Sequence, residues 1–256
     1  MEQRTEEASH CYPRQGVIKY TMSTTTNKQR LFQQLCSPPA RAGRSDDHES
    51  RPVVEQFVYA ICREGVTREL ANRAYRSLQE HYFDWNEVRV SSPRELAETM
   101  NCLPDAENRG QRVVDFLQEV FETTYSFDLE TLQKKGVKQA AKQLSRYQAA
   151  NDYVISSVVQ HSLGGHAIPL DNSSLRVLQR LGVIEGQTHN LEAICASLEH
   201  QVPKAKSASF CDVVSAIAYE YCTEKEPHCS ACPVCPHCPT GQAAKNTPPG
   251  HRPKPR

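Results

Sequence analysis

Five cysteines lie close together near the end of the chain, and their spacing is suited to metal chemistry. The segment from Cys222 to Cys238 reads C-TEKEPH-C-SA-C-PVCPH-C, which gives the spacing C-x6-C-x2-C-x5-C. Four thiolates on one compact loop can ligate a cubic [4Fe–4S] cluster, with one thiolate on each iron. The interleaved prolines stiffen the loop and reduce the entropy that it loses on wrapping a cluster. We therefore expect Cys222, Cys229, Cys232 and Cys238 to ligate this cofactor and Cys235 to remain a free thiol.

Two other arrangements use the same cysteines. The pairs Cys229/Cys232 and Cys235/Cys238 could bind zinc, although zinc sites usually bring such pairs together across a longer gap. The first three of these residues also have a ferredoxin-like C-x2-C-x2-C spacing, but the fourth gap does not fit. The other six cysteines are scattered. Cysteines that cluster near the C-terminal end of a chain with a polar N-terminus indicate a metal site in a reducing, cytoplasmic compartment rather than a disulfide framework.

The overall composition excludes several classes of protein. The 256 residues contain 30 Lys+Arg and 30 Asp+Glu, so the formal net charge is zero. Bulk charge alone therefore cannot hold the protein on nucleic acid or on an anionic membrane. The mean hydropathy is −0.61, and no apolar run approaches the roughly 18 residues of a membrane span. We expect an intracellular monomer without a signal peptide and without a membrane segment.

Apolar residues at helical spacing recur from Pro52 to Tyr221, and no segment shows sustained two-residue alternation. The sequence therefore predicts an all-α protein of roughly ten helices joined by short loops. Residues 1–50 have the composition of turns and linkers apart from a short helical pattern from Lys28 to Leu35, so that residues 1–26 form the first tail, and residues 241–256 are basic and proline-rich. We expect both ends of the chain to be disordered tails.

The cysteine spacing at the end of an all-helical chain resembles the endonuclease III group of helix-hairpin-helix DNA glycosylases. LPDAENRGQRVVDFLQEVFE resembles the helix before the hairpin of that group, and LQKKGVKQAAKQLSRYQAANDYVISSVVQHSLGGHAIPLD matches the hairpin region without a gap. The resemblance implies two helical lobes with DNA bound between them. One is a six-helix barrel over residues 52–165 with a degenerate hairpin. The other is a cluster lobe built from both termini, with residues 166–240 and an N-terminal helix and linker over 27–51.

The resemblance also implies catalytic residues. DNSSLRVLQRLGV matches the segment after the hairpin, so Asp171 corresponds to the catalytic aspartate. Its carboxylate would stabilise an oxocarbenium-like sugar or activate water after the target base leaves the stack. An aspartate directly before a helix is also a common N-cap, and both roles are compatible. Tyr153 stands where bifunctional members carry the lysine that forms a Schiff base, or it simply packs on a helix face; a phenol cannot form an imine.

The features that would contact DNA are weaker than in the family. The family's turn Leu-Pro-Gly-Val-Gly offers backbone N–H groups to a phosphate. The matching residues here are Tyr147, Gln148, Ala149, Ala150 and Asn151. No glycine remains to take a positive φ, so Asn151 is the best substitute.

Basic residues before the hairpin provide a second possible DNA contact. Helical spacing relates Lys134, Lys135, Lys138, Lys142 and Arg146. They are expected to form one helical stripe that faces either phosphate or solvent.

The sequence thus predicts a base-excision repair glycosylase that hydrolyses the N-glycosidic bond of a damaged or mismatched base in double-stranded DNA. Without the lysine, it is expected to be monofunctional. The alternative is a catalytically silent relative that keeps the fold and the cluster and binds DNA or a protein partner. An electron-transfer or cluster-sensing protein is a third hypothesis. Asp171 favours activity, whereas the zero net charge and the altered hairpin favour silence.

Overall fold

The computed structural model describes residues 25–37, 50–184 and 190–246. Within these ranges the chain forms twelve α-helices, two short 3₁₀ helices and no strand, which confirms the all-α prediction. No helix in the described ranges is long and apolar enough to cross a membrane. In chain order the α-helices are α1 (Thr25–Leu35), α2 (Val53–Arg63), α3 (Arg68–His81), α4 (Trp85–Val90), α5 (Pro93–Thr99), α6 (Ala106–Thr124), α7 (Val137–Leu144), α8 (Asp152–His161), α9 (Asn172–Arg180), α10 (Leu191–Gln201), α11 (Lys204–Glu220) and α12 (Pro239–Asn246), and the 3₁₀ helices are Glu130–Lys134 and Cys235–His237.

Two hydrophobic cores divide these helices into two lobes. The barrel lobe consists of α2 to α8, and the stacked rings of Phe57 and Phe116 lie in its core with centroids 3.7 Å apart. The cysteine lobe consists of α1 and α9 to α12, and Leu35 of α1 and Phe210 of α11 are both fully buried in its core. The early and late parts of the chain therefore share one core, while the middle forms the other.

The barrel lobe contains seven α-helices in the described residues, whereas the resemblance implies six. The shortest of the seven is α4, with six residues. Its first turn is capped by Asp84, whose side chain accepts the N–H of Glu87. It ends at Ser91, because the next residue, Ser92, forms a capping box with Glu95 and starts α5.

The two predicted tails differ from the structure at their inner boundaries. Helix α1 begins at Thr25 rather than after residue 26, and α12 continues to Asn246 rather than ending before residue 241. Gln242 anchors α12, because its side-chain amide donates to the Cys235 carbonyl at 2.9 Å. Residues 1–24 and 247–256 lie outside the described residues, so their predicted disorder stays a prediction.

Arg109 of α6 fixes the C-terminal end of α2. This arginine is only 8% exposed, and its guanidinium donates to the carbonyl oxygens of Ile61 and Glu64, the latter at 2.6 Å. These carbonyls lie where a helix leaves its last acceptors without intrahelical partners. The cation also suits the negative end of the helix dipole. Arg109 thereby holds the loop that joins α2 to α3.

We expect Arg109→Leu to lower the free energy of unfolding by about 3 kcal/mol, because it leaves several buried carbonyl groups without donors. Urea-induced unfolding followed by circular dichroism measures this change. Arg94→Ala is the control, because Arg94 is 84% exposed and its pair with Glu98 contributes little. Equal stability of the two variants would contradict the capping role of Arg109.

Candidate active site and cysteine pocket

Asp171 lies directly before α9, at the junction of the two lobes. Its backbone is extended, and its Oδ1 accepts the N–H of Ser174 at 2.7 Å, so Asp171 is the N-cap of α9. Its Oδ2 accepts the N–H of Gly65 at 3.1 Å, which reaches across from the barrel lobe. Capping accounts for the first bond but not for the second. The carboxylate is therefore oriented by backbone groups from both lobes.

Gly65 owes this contact to a backbone conformation that suits glycine. Its φ is +70°, in the left-handed region that residues with a side chain rarely adopt. This turn follows the end of α2, which Arg109 caps, and it aims the Gly65 N–H at Asp171. Sequence reasoning gave Gly65 no role, and a glycine just after a helix was the signal that could have found it.

Tyr153 lies in the first turn of α8 and is buried close to Asp171. Burial raises the pKa of the Tyr153 hydroxyl well above its usual value. The guanidinium of Arg63 opposes this shift, and the negative charge of Asp171 adds to it. Tyr153 is therefore a neutral phenol at physiological pH. The two residues that were predicted to be catalytic therefore lie close together.

Arg63 is a buried cation at the same place that sequence reasoning missed. It is 8% exposed, donates to the Val66 carbonyl and lies 3.7 Å from Asp212 of α11. Burial lowers the pKa of Arg63, but Tyr153, which ionises only at the high pH where an arginine titrates, and the Asp212 carboxylate outweigh that effect and raise it. An arginine at the end of the mostly apolar α2 was the signal in the sequence.

A cavity of about 380 Å³ opens between the lobes beside Tyr153. This volume is within the range of small-molecule sites. Helices α2, α3, α8 and α11 contribute to its walls. Its charged lining consists of four arginines and two carboxylates, namely Arg51, Arg63, Arg68, Arg76, Glu55 and Asp212.

The turn between α7 and α8 binds other parts of the protein. The Gln148 N–H donates to the Glu119 carboxylate, with N···O distances of 3.2 and 3.3 Å. The Ala150 N–H donates to the Tyr147 carbonyl at 3.0 Å, and the Ala149 carbonyl accepts from an arginine of α6 at 3.0 Å. Glu119 thus occupies one of the N–H groups that the predicted phosphate contact would use.

The predicted positive φ at Asn151 is wrong. Asn151 is extended, with φ −143°, because it is the N-cap of α8 and its side chain accepts the Val154 N–H at 2.9 Å. Its amide nitrogen also donates to Glu64, the residue after α2, at 2.8 Å. In the described part of the chain, only Asp105 and Tyr125 take a positive φ among non-glycine residues.

The predicted single helical stripe of basic residues is also wrong. The 3₁₀ helix ends at Lys134, and Gly136 separates Lys135 from α7, which carries Lys138 and Lys142. All of these lysines are exposed. The Lys135 ammonium donates to Gln143 of α7 at 2.9 Å, so it folds back toward that helix.

The five clustered cysteines line a single pocket. Apolar side chains of α9 and α11 form its other walls, and the lining thiols are those of Cys222, Cys229, Cys232, Cys235 and Cys238. Gly241 donates its N–H to the Cys238 sulfur at 3.3 Å, and Arg180 lies 3.4 Å from the Cys222 sulfur. Burial raises the pKa of Cys232 to about 11. Ligation to a metal would deprotonate such thiols, and the N–H contacts would favour the thiolates.

Cys235, which was predicted to stay free, is 3% exposed and lines this same pocket. The missing side chain of Gly241 makes room for it, because a Cβ atom there would lie 3.0 Å from the Cys235 sulfur. Within the described ranges, no three His, Cys, Asp or Glu side chains converge as a group that could hold a metal ion. The fit of the cysteine set to an iron–sulfur cluster rests instead on its donor type and on the shared pocket.

Arg180, at the C-terminal end of α9, holds the loop between the first two clustered cysteines. It donates to the carbonyl oxygens of Thr223 and Glu224 at 2.6 and 2.8 Å. Arg176, one turn earlier, donates to the Cys222 carbonyl at 3.0 Å. Sequence reasoning missed both arginines, because their acceptors are backbone atoms more than forty residues away.

Three solved structures share this architecture. A non-covalent endonuclease III–DNA complex matches with a TM-score of 0.64 and 16% identity, over 88% of this chain and 100% of that chain. A trapped endonuclease III–DNA covalent intermediate matches with a TM-score of 0.62 and 17% identity, over the same shares of the two chains. The chain has the endonuclease III fold. A thermostable thymine-DNA glycosylase matches with a TM-score of 0.60 and 16% identity, over 86% of this chain and 100% of its own.

The sequence comparisons are less extensive than the structural likeness to endonuclease III. No family model matches the chain. The DNA glycosylase/AP lyase ROS1 of Arabidopsis thaliana is 24% identical over 168 residues, which is 59% of this chain. The chain spans 12% of the length of that relative.

Proposed function

We propose that this protein is a DNA glycosylase of the endonuclease III type that hydrolyses the N-glycosidic bond of a damaged or mismatched base. The observation that carries the proposal is the Asp171 carboxylate, which accepts N–H bonds from both lobes beside Tyr153. The neighbouring cavity offers a place for an extruded nucleotide. The endonuclease III fold supports the same conclusion.

Asp171 acts on the sugar of the extruded nucleotide. The C1′–N bond breaks, and the base leaves with the bonding electron pair. The carboxylate stabilises the positive charge that develops on the sugar. Water adds to C1′, and its proton passes through Asp171 to the leaving base. A carboxylate has lone pairs beyond the two that accept Ser174 and Gly65, so it retains an acceptor for that proton.

The presence of Tyr153 at the position of the family's lysine supports hydrolysis without strand cleavage. A lyase needs an amine that forms an imine with the opened sugar, and a phenol offers none. Burial also raises the pKa of Tyr153, so it does not supply a phenolate nucleophile at physiological pH. The products are therefore the free base and an intact strand with an abasic site.

A catalytically silent DNA- or partner-binding relative is the second candidate. The observation that favours it is the Glu119 carboxylate on the Gln148 N–H, where a phosphate would otherwise accept. A negative charge at this turn repels the DNA backbone. The proposed enzyme therefore depends on other cations for DNA binding, and exposed Lys138 and Lys142 are the candidates on α7.

Cys222, Cys229, Cys232 and Cys238 would hold a [4Fe–4S] cluster in the cysteine pocket. The shared pocket, the N–H contact on Cys238 and the nearby Arg180 support this assignment. A bound cluster would cross-link the end of α11 to the start of α12 and add its binding free energy to folding.

We expect the protein to release a base from one or more duplexes in a panel of lesions and mismatches, without nicking the strand. Strand breaks should appear only after hot alkali, and borohydride should trap no protein–DNA adduct, because Tyr153 cannot form an imine. Asp171→Asn should slow base release by about a hundredfold or more. Gel analysis of end-labelled duplexes measures all three results.

Asp84→Asn is the matched control for Asp171→Asn, because Asp84 also caps a helix but lies in the barrel lobe at α4. It should leave the rate unchanged. An efficient borohydride adduct would show that a lysine takes the lyase role. No base release from any duplex would favour the silent relative.

We expect about four irons per chain after anaerobic purification, together with a broad visible absorbance. Cys229→Ser should lose iron and colour, since one ligand of the cluster disappears. Cys235→Ser is the matched control from the same pocket and should keep both. Elemental analysis of iron and zinc measures the difference, and stoichiometric zinc without iron would refute the cluster.

We expect the triple variant Lys135→Ala/Lys138→Ala/Lys142→Ala to bind duplex DNA with a shallower salt dependence. Each lysine that neutralises a phosphate contributes about 0.9 to the slope of log K against log salt. Fluorescence anisotropy at several salt concentrations gives this slope. Arg94→Ala on α5 is the control, and an unchanged slope in the triple variant would assign these lysines to solvent.

A further inference from the structure

Two glutamines on the walls of the interlobe cavity carry amide oxygens without a partner. Gln56 of α2 is fully buried, and its amide nitrogen donates to the Ser157 hydroxyl at 3.1 Å. Gln160 of α8 donates through its amide nitrogen to the Ala167 carbonyl at 2.8 Å. The Oε1 atoms of both glutamines are buried and accept no hydrogen bond. A buried acceptor without a donor costs free energy, so this arrangement needs an explanation.

The orientation of the Gln160 amide is determined by its surroundings. Its partner at Ala167 is a carbonyl, which can only accept, so the nitrogen must face Ala167 and the oxygen must face away. Gln56, Gln160 and Tyr153 line the same cavity. The two unpartnered oxygens are buried acceptors on residues of the cavity wall, so a base in the cavity reaches them only if that wall shifts slightly.

The same cavity has hydrogen-bond donors elsewhere on its lining. The Arg51 guanidinium lies 4.1 Å from the centroid of the Tyr59 ring. Four arginines line the cavity against two carboxylates, so its charged lining is predominantly cationic. A complementary ligand offers N–H donors to the glutamine oxygens and acceptors to the guanidinium groups.

We propose that Gln56 and Gln160 determine specificity by accepting hydrogen bonds from the exocyclic amine of the extruded base. This inference rests on the proposed function. An amine on a base of the adenine or cytosine type carries two N–H donors, and the neighbouring ring nitrogen is an acceptor. Hypoxanthine or uracil places a carbonyl oxygen at that position. Two acceptors would then face each other without a hydrogen between them, and such a base would be rejected.

The test compares the binding of bases that differ only in this group. Each duplex contains one 2′-fluoro nucleotide, whose glycosidic bond resists hydrolysis, opposite an abasic-site analogue. Because no base pair has to break, extrusion costs nearly the same for each base. The paired probes are adenine against hypoxanthine and cytosine against uracil. We expect the duplex with the amine-bearing base to bind about tenfold tighter or more in at least one pair. The pair that shows this difference tells whether the cavity accepts a purine or a pyrimidine.

Variants at the glutamines locate the preference. Gln56→Met and Gln160→Met remove the acceptor oxygens while keeping an unbranched side chain, and they should bring the affinity ratio toward one. Gln79→Met is the matched control, because Gln79 lines the same cavity but is exposed. Melting temperatures verify that the variants fold. The comparison of the paired bases uses the unaltered protein and therefore holds even if a variant does not fold.

Binding and base release separate this inference from the proposed function. A preference for the amine without base release from the matching 2′-deoxy duplexes would support the inference and contradict the glycosylase. Base release with equal or reversed preference would support the glycosylase and overturn the inference. Equal binding of all probes would also overturn it, as would an unchanged ratio in both glutamine variants.

Discussion

The geometry of the candidate site depends on one carboxylate that receives hydrogen bonds from both lobes. Asp171 accepts the Ser174 N–H of its own helix and the Gly65 N–H of the barrel lobe. The second bond requires the left-handed turn at Gly65, and that turn follows a helix end whose carbonyl groups Arg109 satisfies. A buried guanidinium on α6 therefore contributes to the orientation of a carboxylate in the other lobe. Hydrogen bonds at fixed backbone positions hold this carboxylate more rigidly than side-chain partners would, since they have no rotamers to lose.

Helix α9 connects this carboxylate to the cysteine pocket. Asp171 caps its N-terminus, and Arg180 at its other end donates to the loop between the first two clustered cysteines. The helix has nine residues, and at about 1.5 Å per residue such a helix separates its ends by roughly 13 Å. A metal cluster in the pocket would thus have a structural effect on the candidate site without lying in the interlobe cavity. It would fix the loop that Arg180 binds, and through α9 it would restrain the helix that Asp171 caps.

Local patterns in the sequence predicted the parts of the structure that local physics determines. Apolar periodicity gave the helices, and the position of Asp171 before α9 predicted its capping bond. The cysteine spacing predicted thiols that share one pocket.

The errors concern long-range contacts. Asn151 was expected to take a positive φ, yet it caps α8 and contacts Glu64, which is 87 residues earlier in the chain. The Glu119 contact with Gln148 and the cap formed by Arg109 have no local signature, because neither residue is near its partner in sequence.

On the sequence alone, the zero net charge favours a catalytically silent relative. The positions of the charges in the structure remove this argument. The total of 30 cations and 30 anions says nothing about where they lie. The interlobe cavity has four arginines against two carboxylates, whereas the hairpin turn holds a glutamate on its N–H. The cavity is therefore one cationic region and the exposed lysines of α7 are another, whereas the turn where the family's phosphate contact was expected binds a glutamate. Electrostatic attraction acts over about 10 Å at moderate salt, so the local distribution decides where a polyanion binds. On the proposed function, that distribution would direct a nucleotide toward the cavity beside Tyr153 and would leave the hairpin turn a smaller part in DNA binding.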